Sequence, residues 1–204
     1  MARRVGLVVV LVVLAGCSGA VPANDDGGPP GTATSLPEET TRVTVTAVVD
    51  GDTIRIEYAN GTRDTVRLVG VDTPEVHAEN DPAELEGVPE NAAGAACLRE
   101  AGSDATNVAT ERLLGRTVGI ATDPNLDRRG YYDRLLAYVV VDDRLFNYRL
   151  VAGGHARVYD SDFSRQASFT AAEAGAREDR RGLWRCADPG SADPGTPTAT
   201  ASVS

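Results

Sequence analysis

The stretch VTVTAVVDGDTIRIEY, residues 43–58, has the pattern of two β-strands joined by a tight turn. Valine and threonine alternate over residues 43–49, and the apolar side chains of residues 53–58 fall on one face, as expected of half-buried strands. The step Asp50-Gly51 between them favours a hairpin, because both residues tolerate the positive φ that a tight turn requires. These residues therefore predict the first hairpin of an antiparallel sheet.

A second turn signal, Asn60-Gly61, precedes residues 64–71, which predict a third strand and complete a meander. Pro74 stops that strand, and residues 75–91 predict a long irregular loop. The fold class is α+β, mainly β: a five-stranded barrel with about three helices inserted after the third and fifth strands. The later elements are predicted as a helix over 92–114, strands over 117–122 and 135–141, and helices over 145–152 and 164–180.

The N-terminus predicts export. Two arginines precede an apolar run, residues 5–14, that is too short to span a bilayer. The run ends in LAGC, residues 14–17, which resembles the lipobox of bacterial and archaeal lipoproteins. That resemblance implies a signal peptide over residues 1–16 and a lipid anchor on Cys17. We therefore expect a protein anchored at the extracellular face of the cell membrane, or a secreted one; a buried core strand is the disfavoured alternative.

The two ends of the chain share an unusual composition. Residues 17–42 and 187–204 are rich in small, polar and acidic residues and poor in large apolar ones, so neither segment can bury enough surface to fold. We expect a disordered tether from the anchor and a disordered tail. Residues 43–186 between them have the size of one domain, and we expect that domain to be a monomer.

The charged residues also indicate an environment. The chain has 30 acidic residues and 20 basic ones, all of the latter arginine, for a net charge of −10. We infer an extreme halophile, whose acidic surface keeps the protein soluble in brine. This net charge would ordinarily disfavour nucleic acid as a partner. In strong salt the Debye length falls to about 3 Å or less, so binding depends on short-range contacts instead.

Two aspartates are predicted to meet at one rim of the barrel. Asp52 follows the first turn and Asp72 ends the third strand, and neighbouring strands of a meander can bring them together. With the main-chain carbonyl of Thr73, they offer oxygen ligands that suit calcium better than zinc. Taken alone, each motif is also consistent with a plain turn or a strand end.

Two further side chains suit phosphodiester hydrolysis. Glu75, held by the stiff backbone of Pro74, is placed to accept a proton from water; the alternative is an exposed loop glutamate. Arg134 can donate to two oxygens of one phosphate, and the alternative is a surface ion pair with Asp127 or Asp133.

Arg67 raises a question of strand parity. It lies five residues before Asp72, so an unbroken strand would place the two side chains on opposite faces. A bend or bulge near Gly70 would remove the difficulty. A solvated strand arginine is the alternative.

Three motifs together resemble the signature of the thermonuclease family, also called staphylococcal-nuclease-like proteins. They are DGDT at residues 50–53, RLVGVDTPE at 67–75 and RLLAY at 134–138. The resemblance implies an OB-fold barrel and a calcium-dependent enzyme that cleaves DNA and RNA. By motif match it implies that Asp52, Asp72 and the Thr73 carbonyl hold Ca²⁺, that Glu75 is the general base, that Arg67 and Arg134 stabilise the transition state, and that Tyr132 and Tyr159 line the nucleotide site.

This chain departs from the family pattern at two places. The family usually has Tyr-Gly-Arg where this chain has Tyr132-Asp133-Arg134, so a negative side chain adjoins the second arginine. The loop over residues 76–91 is longer and more acidic than the family pattern, and we expect it to gate the site.

The remaining cysteines and the histidines are few. Cys97 and Cys186 are left after Cys17, and because an exported chain meets an oxidising setting we expect them to form a disulfide. Two buried free thiols are the alternative. His77 and His155 lie far apart in the sequence, and we expect neither to be catalytic.

Two functions of other classes stay open at this stage. One is a catalytically weak OB-fold module that binds nucleic acid or protein at the cell surface, and the other is a lipoprotein with a structural role. All catalytic positions of the family pattern are filled in this chain, which disfavours the binding module. Only the predicted anchor and tails favour the structural role.

Overall fold

A computed structural model describes residues 35–187 of the protein. Four predicted features lie outside the described residues: the signal peptide, the anchor at Cys17, residues 17–34 of the tether and residues 188–204 of the tail. In chain order the strands are β1 (Thr41–Val48), β2 (Thr53–Tyr58), β3 (Arg63–Leu68), β4 (Val71–Asp72), β5 (Thr117–Ala121), β6 (Leu135–Val141), β7 (Arg144–Leu145) and β8 (Arg157–Val158), and the helices are α1 (Ala92–Leu113), α2 (Phe146–Ala152) and α3 (Gln166–Glu178).

Five of these strands close into a barrel. They follow the antiparallel order β3-β2-β1-β5-β6, and a parallel pairing of β3 with β6, which sets Val66 opposite Leu135, closes the ring. The alternating apolar residues of the first hairpin, among them Val45 and Ile56, are fully buried inside it. The predicted α+β fold, a five-stranded barrel with three main helices, is confirmed.

The third strand of the meander is interrupted, which the sequence did not predict. One strand over residues 64–71 was expected, whereas β3 ends at Leu68 and β4 begins at Val71. Between them Gly70 has a φ of +75°, and a Cβ there would lie 2.6 Å from the Phe163 ring, so only glycine fits. The turn takes β4 out of the barrel and pairs it with β8.

Small residues line the buried face of helix α1, which packs against the barrel at Ala109 and against the smaller core at Ala101. It begins at Ala92 because the Asn91 side chain accepts hydrogen bonds from the backbone N–H groups of Ala93 and Gly94. The buried small residues of α1 are Gly94, Ala101, Gly102, Ala105 and Ala109.

None of the helices within residues 35–187 is both long enough and apolar enough to cross a membrane.

A second, smaller core lies beneath the loop that precedes α1. Leu85 and Val88 of this loop are buried together with Leu98 and Trp184. The loop over residues 76–91 is therefore docked on the domain through its own apolar side chains.

A disulfide joins two elements of this smaller core. The sulfurs of Cys97 in α1 and Cys186 are 2.02 Å apart, so the bond ties the first helix to the C-terminal 3-10 turn Gly182–Ala187. The segment between the two cysteines includes the barrel strands β5 and β6.

A buried carboxylate anchors the start of α3 to the barrel. Asp123 is 4% exposed and accepts hydrogen bonds from the Tyr138 hydroxyl at 2.6 Å and from the Ser164 backbone N–H at 3.0 Å. Burial alone would raise the pKa of Asp123, but the hydrogen bonds from Ser164, Tyr138 and Asn125 outweigh it and hold the pKa below its usual value. The ionised form is therefore the one that the fold stabilises.

We expect Asp123→Asn to lower the free energy of unfolding at neutral pH by about 2–3 kcal/mol, because an amide cannot accept all of these hydrogen bonds. The folded-state pKa of Asp123 is depressed, so its contribution is complete above the unfolded-state pKa of about 4 and is lost as pH falls through the folded-state pKa. Urea unfolding across this range should show the difference between wild type and variant shrinking in acid. A difference that stays constant down to pH 2 would contradict this role.

Candidate active site

A pocket of about 120 Å³ opens at one rim of the barrel. Four separate segments meet there: the first turn, the end of β3, the residues after β4 and the turn before β6. Of the residues that the sequence indicates for the site, five line this pocket, and Asp72 lines a neighbouring pocket of about 300 Å³. The residues lining the smaller pocket are Asp50, Asp52, Thr53, Arg67, Thr73, Pro74, Glu75 and Arg134.

Asp52 is the most deeply buried charged residue of the site, at 2% exposure. Its Oδ2 accepts hydrogen bonds from the backbone N–H of Thr73 at 2.9 Å and from the Thr73 hydroxyl at 3.0 Å. Its Oδ1 accepts from the Thr53 hydroxyl at 3.0 Å. The carboxylate therefore fixes the first turn to the segment that follows β4.

Arg67 bridges the two aspartates. It forms an ion pair with Asp52, and its Nη2 donates to Asp72 Oδ1 at 2.7 Å. The side chain is 19% exposed, so the alternative of a solvated strand arginine does not hold. The turn at Gly70 means that Arg67 and Asp72 do not lie on one unbroken strand. Their side chains can therefore meet on the same side.

Asp72 has a second arginine partner that sequence reasoning missed. Arg157 lies opposite Asp72 in the β4–β8 pair, and its Nε donates to Asp72 Oδ2 at 2.9 Å. Burial alone would lower the pKa of Arg157, but the hydrogen bond to Asp72 and the nearby charge of Glu84 outweigh it and raise the pKa. Arg157 therefore stays charged.

Glu75 is exposed, but its backbone is fixed. Its N–H donates to Asn80 Oδ1 at 2.7 Å, and Asn80 Nδ2 donates back to the Glu75 carbonyl at 2.9 Å. On the other side, helix α1 passes so close that a Cβ on Gly102 would lie 2.4 Å from the Pro74 carbonyl oxygen. Neither Asn80 nor Gly102 stands in a sequence pattern that would have indicated this role.

Arg134 is half-buried, and its Nε donates to the Tyr131 carbonyl at 3.3 Å, which leaves its two Nη groups available to a ligand. Among residues 35–187 it forms no ion pair; its guanidinium carbon lies 5.7 Å from the centroid of the Tyr132 ring. Asp133, the neighbour expected to compete, is directed to Arg129 instead, at 3.5 Å. The alternative of an Arg134–Asp133 ion pair is therefore wrong.

The tyrosines flank the pocket rather than line it. Tyr132 is 92% exposed and Tyr159 is 47% exposed. Tyr131, which sequence reasoning did not select, is 83% exposed beside Tyr132. Tyr132 and Asp133 both have φ near +60°, the left-handed region, which explains why the family usually has glycine at the second position.

A metal ion at this rim would have few protein ligands. No group of three or more histidine, cysteine, aspartate or glutamate side chains suited to a metal occurs within the described part of the chain. The donors that the sequence predicts are the Asp52 and Asp72 carboxylates and the Thr73 carbonyl. Oxygen donors in this number fit a hard cation that keeps several waters.

We expect Gly102→Ala to lower the free energy of unfolding by about 1–3 kcal/mol, because the new methyl group meets the Pro74 carbonyl oxygen. Gly175→Ala in α3 is the matched control, since the nearest atom to its Cβ would be 3.8 Å away. The control should gain up to about 1 kcal/mol from helix propensity. Thermal and denaturant unfolding measure both changes, and equal effects at the two sites would refute the close approach.

The sequence is similar to those of known proteins. The family described as Staphylococcal nuclease homologue matches residues 65–186. An uncharacterized protein of Methanocaldococcus jannaschii is 40% identical over 147 residues, which cover 69% of this chain and 70% of that protein.

Two relatives carry the names of enzymes. Endonuclease YncB of Bacillus subtilis is 34% identical over 145 residues, covering 70% of this chain and 61% of the endonuclease. A thermonuclease of Staphylococcus intermedius is 34% identical over 113 residues, covering 55% of this chain and 56% of the thermonuclease. The predicted enzyme class agrees with these names. By this match and by its fold, the chain belongs to the staphylococcal nuclease family.

Proposed function

We propose that this protein is a calcium-dependent nuclease that hydrolyses phosphodiester bonds of DNA, RNA or both. The observation that carries the proposal is the pocket of about 120 Å³ in which Asp52, Arg67, Thr73, Glu75 and Arg134 meet. The names of the relatives, endonuclease and thermonuclease, support the same reaction class. An inactive binding module would not need an exposed glutamate beside two arginines in one pocket.

We infer that the Asp52 and Asp72 carboxylates and the Thr73 carbonyl hold Ca²⁺. Bound there, the ion would polarise the phosphate and offset its charge. Arg67 is ion-paired with both carboxylates. A cation held by these oxygens would compete with Arg67 and would leave its guanidinium available to a phosphate oxygen.

Side chains of the pocket carry out proton transfer and stabilise the charge on the phosphate. Glu75, exposed to water and fixed through its backbone by Asn80, accepts the proton of the attacking water. Arg67 and Arg134 donate to the phosphate oxygens as negative charge grows on them. Tyr132, beside Arg134, and Tyr159 are proposed to stack on the bases that flank the cleaved bond.

We expect Arg67→Ala, Arg134→Ala and Glu75→Gln each to lower turnover about 30- to 1,000-fold, the equivalent of about 2–4 kcal/mol in the barrier. Arg67→Ala should also destabilise the metal-free protein, since it leaves the buried Asp52 without a counter-charge. Plasmid digestion at high salt, with and without calcium, measures the rates.

The exposed Arg144 in β7 provides the matched control, because Arg144→Ala removes one positive charge outside the pocket. Its rate should equal that of wild type. A wild-type rate in any of the three site variants refutes the role of that residue. Full activity in the presence of a calcium chelator refutes the metal, and no hydrolysis under any condition favours the alternative of a binding module.

We also propose that the chain is exported in a halophilic cell and anchored through a lipid on Cys17. The support is the short apolar run behind two arginines and the LAGC motif. Mass spectrometry of the mature N-terminus should find lipid on Cys17, and Cys17→Ser should move the protein from the membrane fraction to the medium. An unmodified Cys17 in the mature protein would contradict the anchor.

A further inference from the structure

Arg157 lies outside the smaller pocket but is joined to Asp72, a carboxylate proposed to bind calcium. Its Nε and Nη2 lie 2.9 and 2.8 Å from Asp72 Oδ2. Its Nη2 also donates to Glu84 Oε2 at 2.7 Å, and its Nη1 donates to the Glu84 carbonyl at 2.9 Å. One guanidinium therefore connects the site to the loop over residues 76–91.

The backbone that carries Arg157 is itself fixed on both sides. Arg157 and Val158 pair with Asp72 and Val71 in the β4–β8 ladder. The Val158 N–H donates to Glu173 Oε1 of α3 at 3.0 Å. The backbone position of Arg157 is thus set by a strand pair and a helix, and Asp72 and Glu84 orient its guanidinium.

The loop end of the connection is also anchored. Asp81 accepts a hydrogen bond from the Ala83 N–H at 3.0 Å and so begins the turn that carries Glu84. The next residue, Leu85, is buried in the smaller core with Val88. Glu84 is therefore a fixed partner for Arg157.

The two oxygens of Asp72 are divided between two arginines. Arg67 contacts Oδ1 and Arg157 contacts Oδ2. If Oδ2 were free, Asp72 could rotate into a two-oxygen fork with Arg67, the geometry that arginine and carboxylate prefer. Such a fork would be harder for a cation to displace.

We propose that Arg157 is a positioning residue: it holds Asp72 with one oxygen toward the cation site and couples that orientation to the acidic loop through Glu84. The inference rests on the proposed function, because it takes Asp72 as a calcium ligand. It adds to that function a residue that never touches substrate or metal.

The test is Arg157→Lys in the full chain, which keeps the positive charge but cannot reach Asp72 and Glu84 with a planar fork. Calorimetric titration with calcium alone should give a Kd about tenfold weaker than that of wild type, the usual effect of losing a partner behind a metal ligand. Saturating calcium should restore most of the turnover, because the residue acts through affinity.

Arg177→Lys is the matched control. Arg177 also contacts the loop, at 3.5 Å from Glu86, but it stacks on Trp184 and does not reach Asp72. It lies 3.7 Å from Glu173 as well, and lysine keeps the positive charge beside that carboxylate. Its calcium affinity should equal that of wild type. Glu84→Gln, which leaves the contact between Arg157 and Asp72 in place, should weaken affinity less than Arg157→Lys does, and it tests the coupling if the lysine variant fails to fold.

Each outcome decides the proposal. A wild-type Kd in Arg157→Lys overturns it, and so does an equal loss in Arg177→Lys, which would assign the effect to loop stability. An unchanged Kd in Glu84→Gln overturns the coupling to the loop. A wild-type protein that binds no calcium overturns the proposed metal and this inference together, whereas loss of only the variant effect overturns the inference alone.

Discussion

The ion pair between Arg67 and the buried Asp52 is the interaction on which the rest of the site depends. A carboxylate that is 2% exposed is stable in its ionised form only when it is hydrogen-bonded and paired. Thr53 and Thr73 supply the hydrogen bonds, and Arg67 supplies the charge. Because Arg67 also contacts Asp72, one guanidinium sets the spacing of the two carboxylates.

This charge arrangement depends on close packing at three glycines. A Cβ on Gly51 in the first turn would lie 2.7 Å from Thr73 and 2.8 Å from Ala105 of α1. Gly70 releases β4 from the barrel, and Gly102 lets α1 pass beneath the Pro74 carbonyl. A side chain at Gly51 or Gly102 would push apart segments that carry the charged groups, and one at Gly70 would displace Phe163. The precision of the site is therefore a matter of packing as much as of electrostatics.

The barrel and part of the site could be predicted because their signals are local. Alternation and turn residues define β1 and β2, and the motif around Asp72 places Thr73 and Glu75 beside it in the chain. Arg157 could not be found in this way, since its contact with Asp72 spans 85 residues and exists only because Gly70 directs β4 toward β8. Asn80 was missed because it acts from an irregular loop, where no periodicity relates a side chain to the backbone that it fixes.

The pairing of charges also explains how an acidic chain can bind a polyanion. Arg67 and Arg157 are both engaged with Asp72, and Arg129 is engaged with Asp64 at 2.8 Å. With these arginines neutralised, the rim presents little long-range attraction to a phosphate backbone. The contacts proposed for a phosphate backbone are instead short-range: Arg134, which forms no ion pair within residues 35–187, the ion proposed at the aspartates, and exposed tyrosine rings. Contacts of this kind lose little when salt screens distant charges, so the net charge of −10 is compatible with a nucleic-acid substrate.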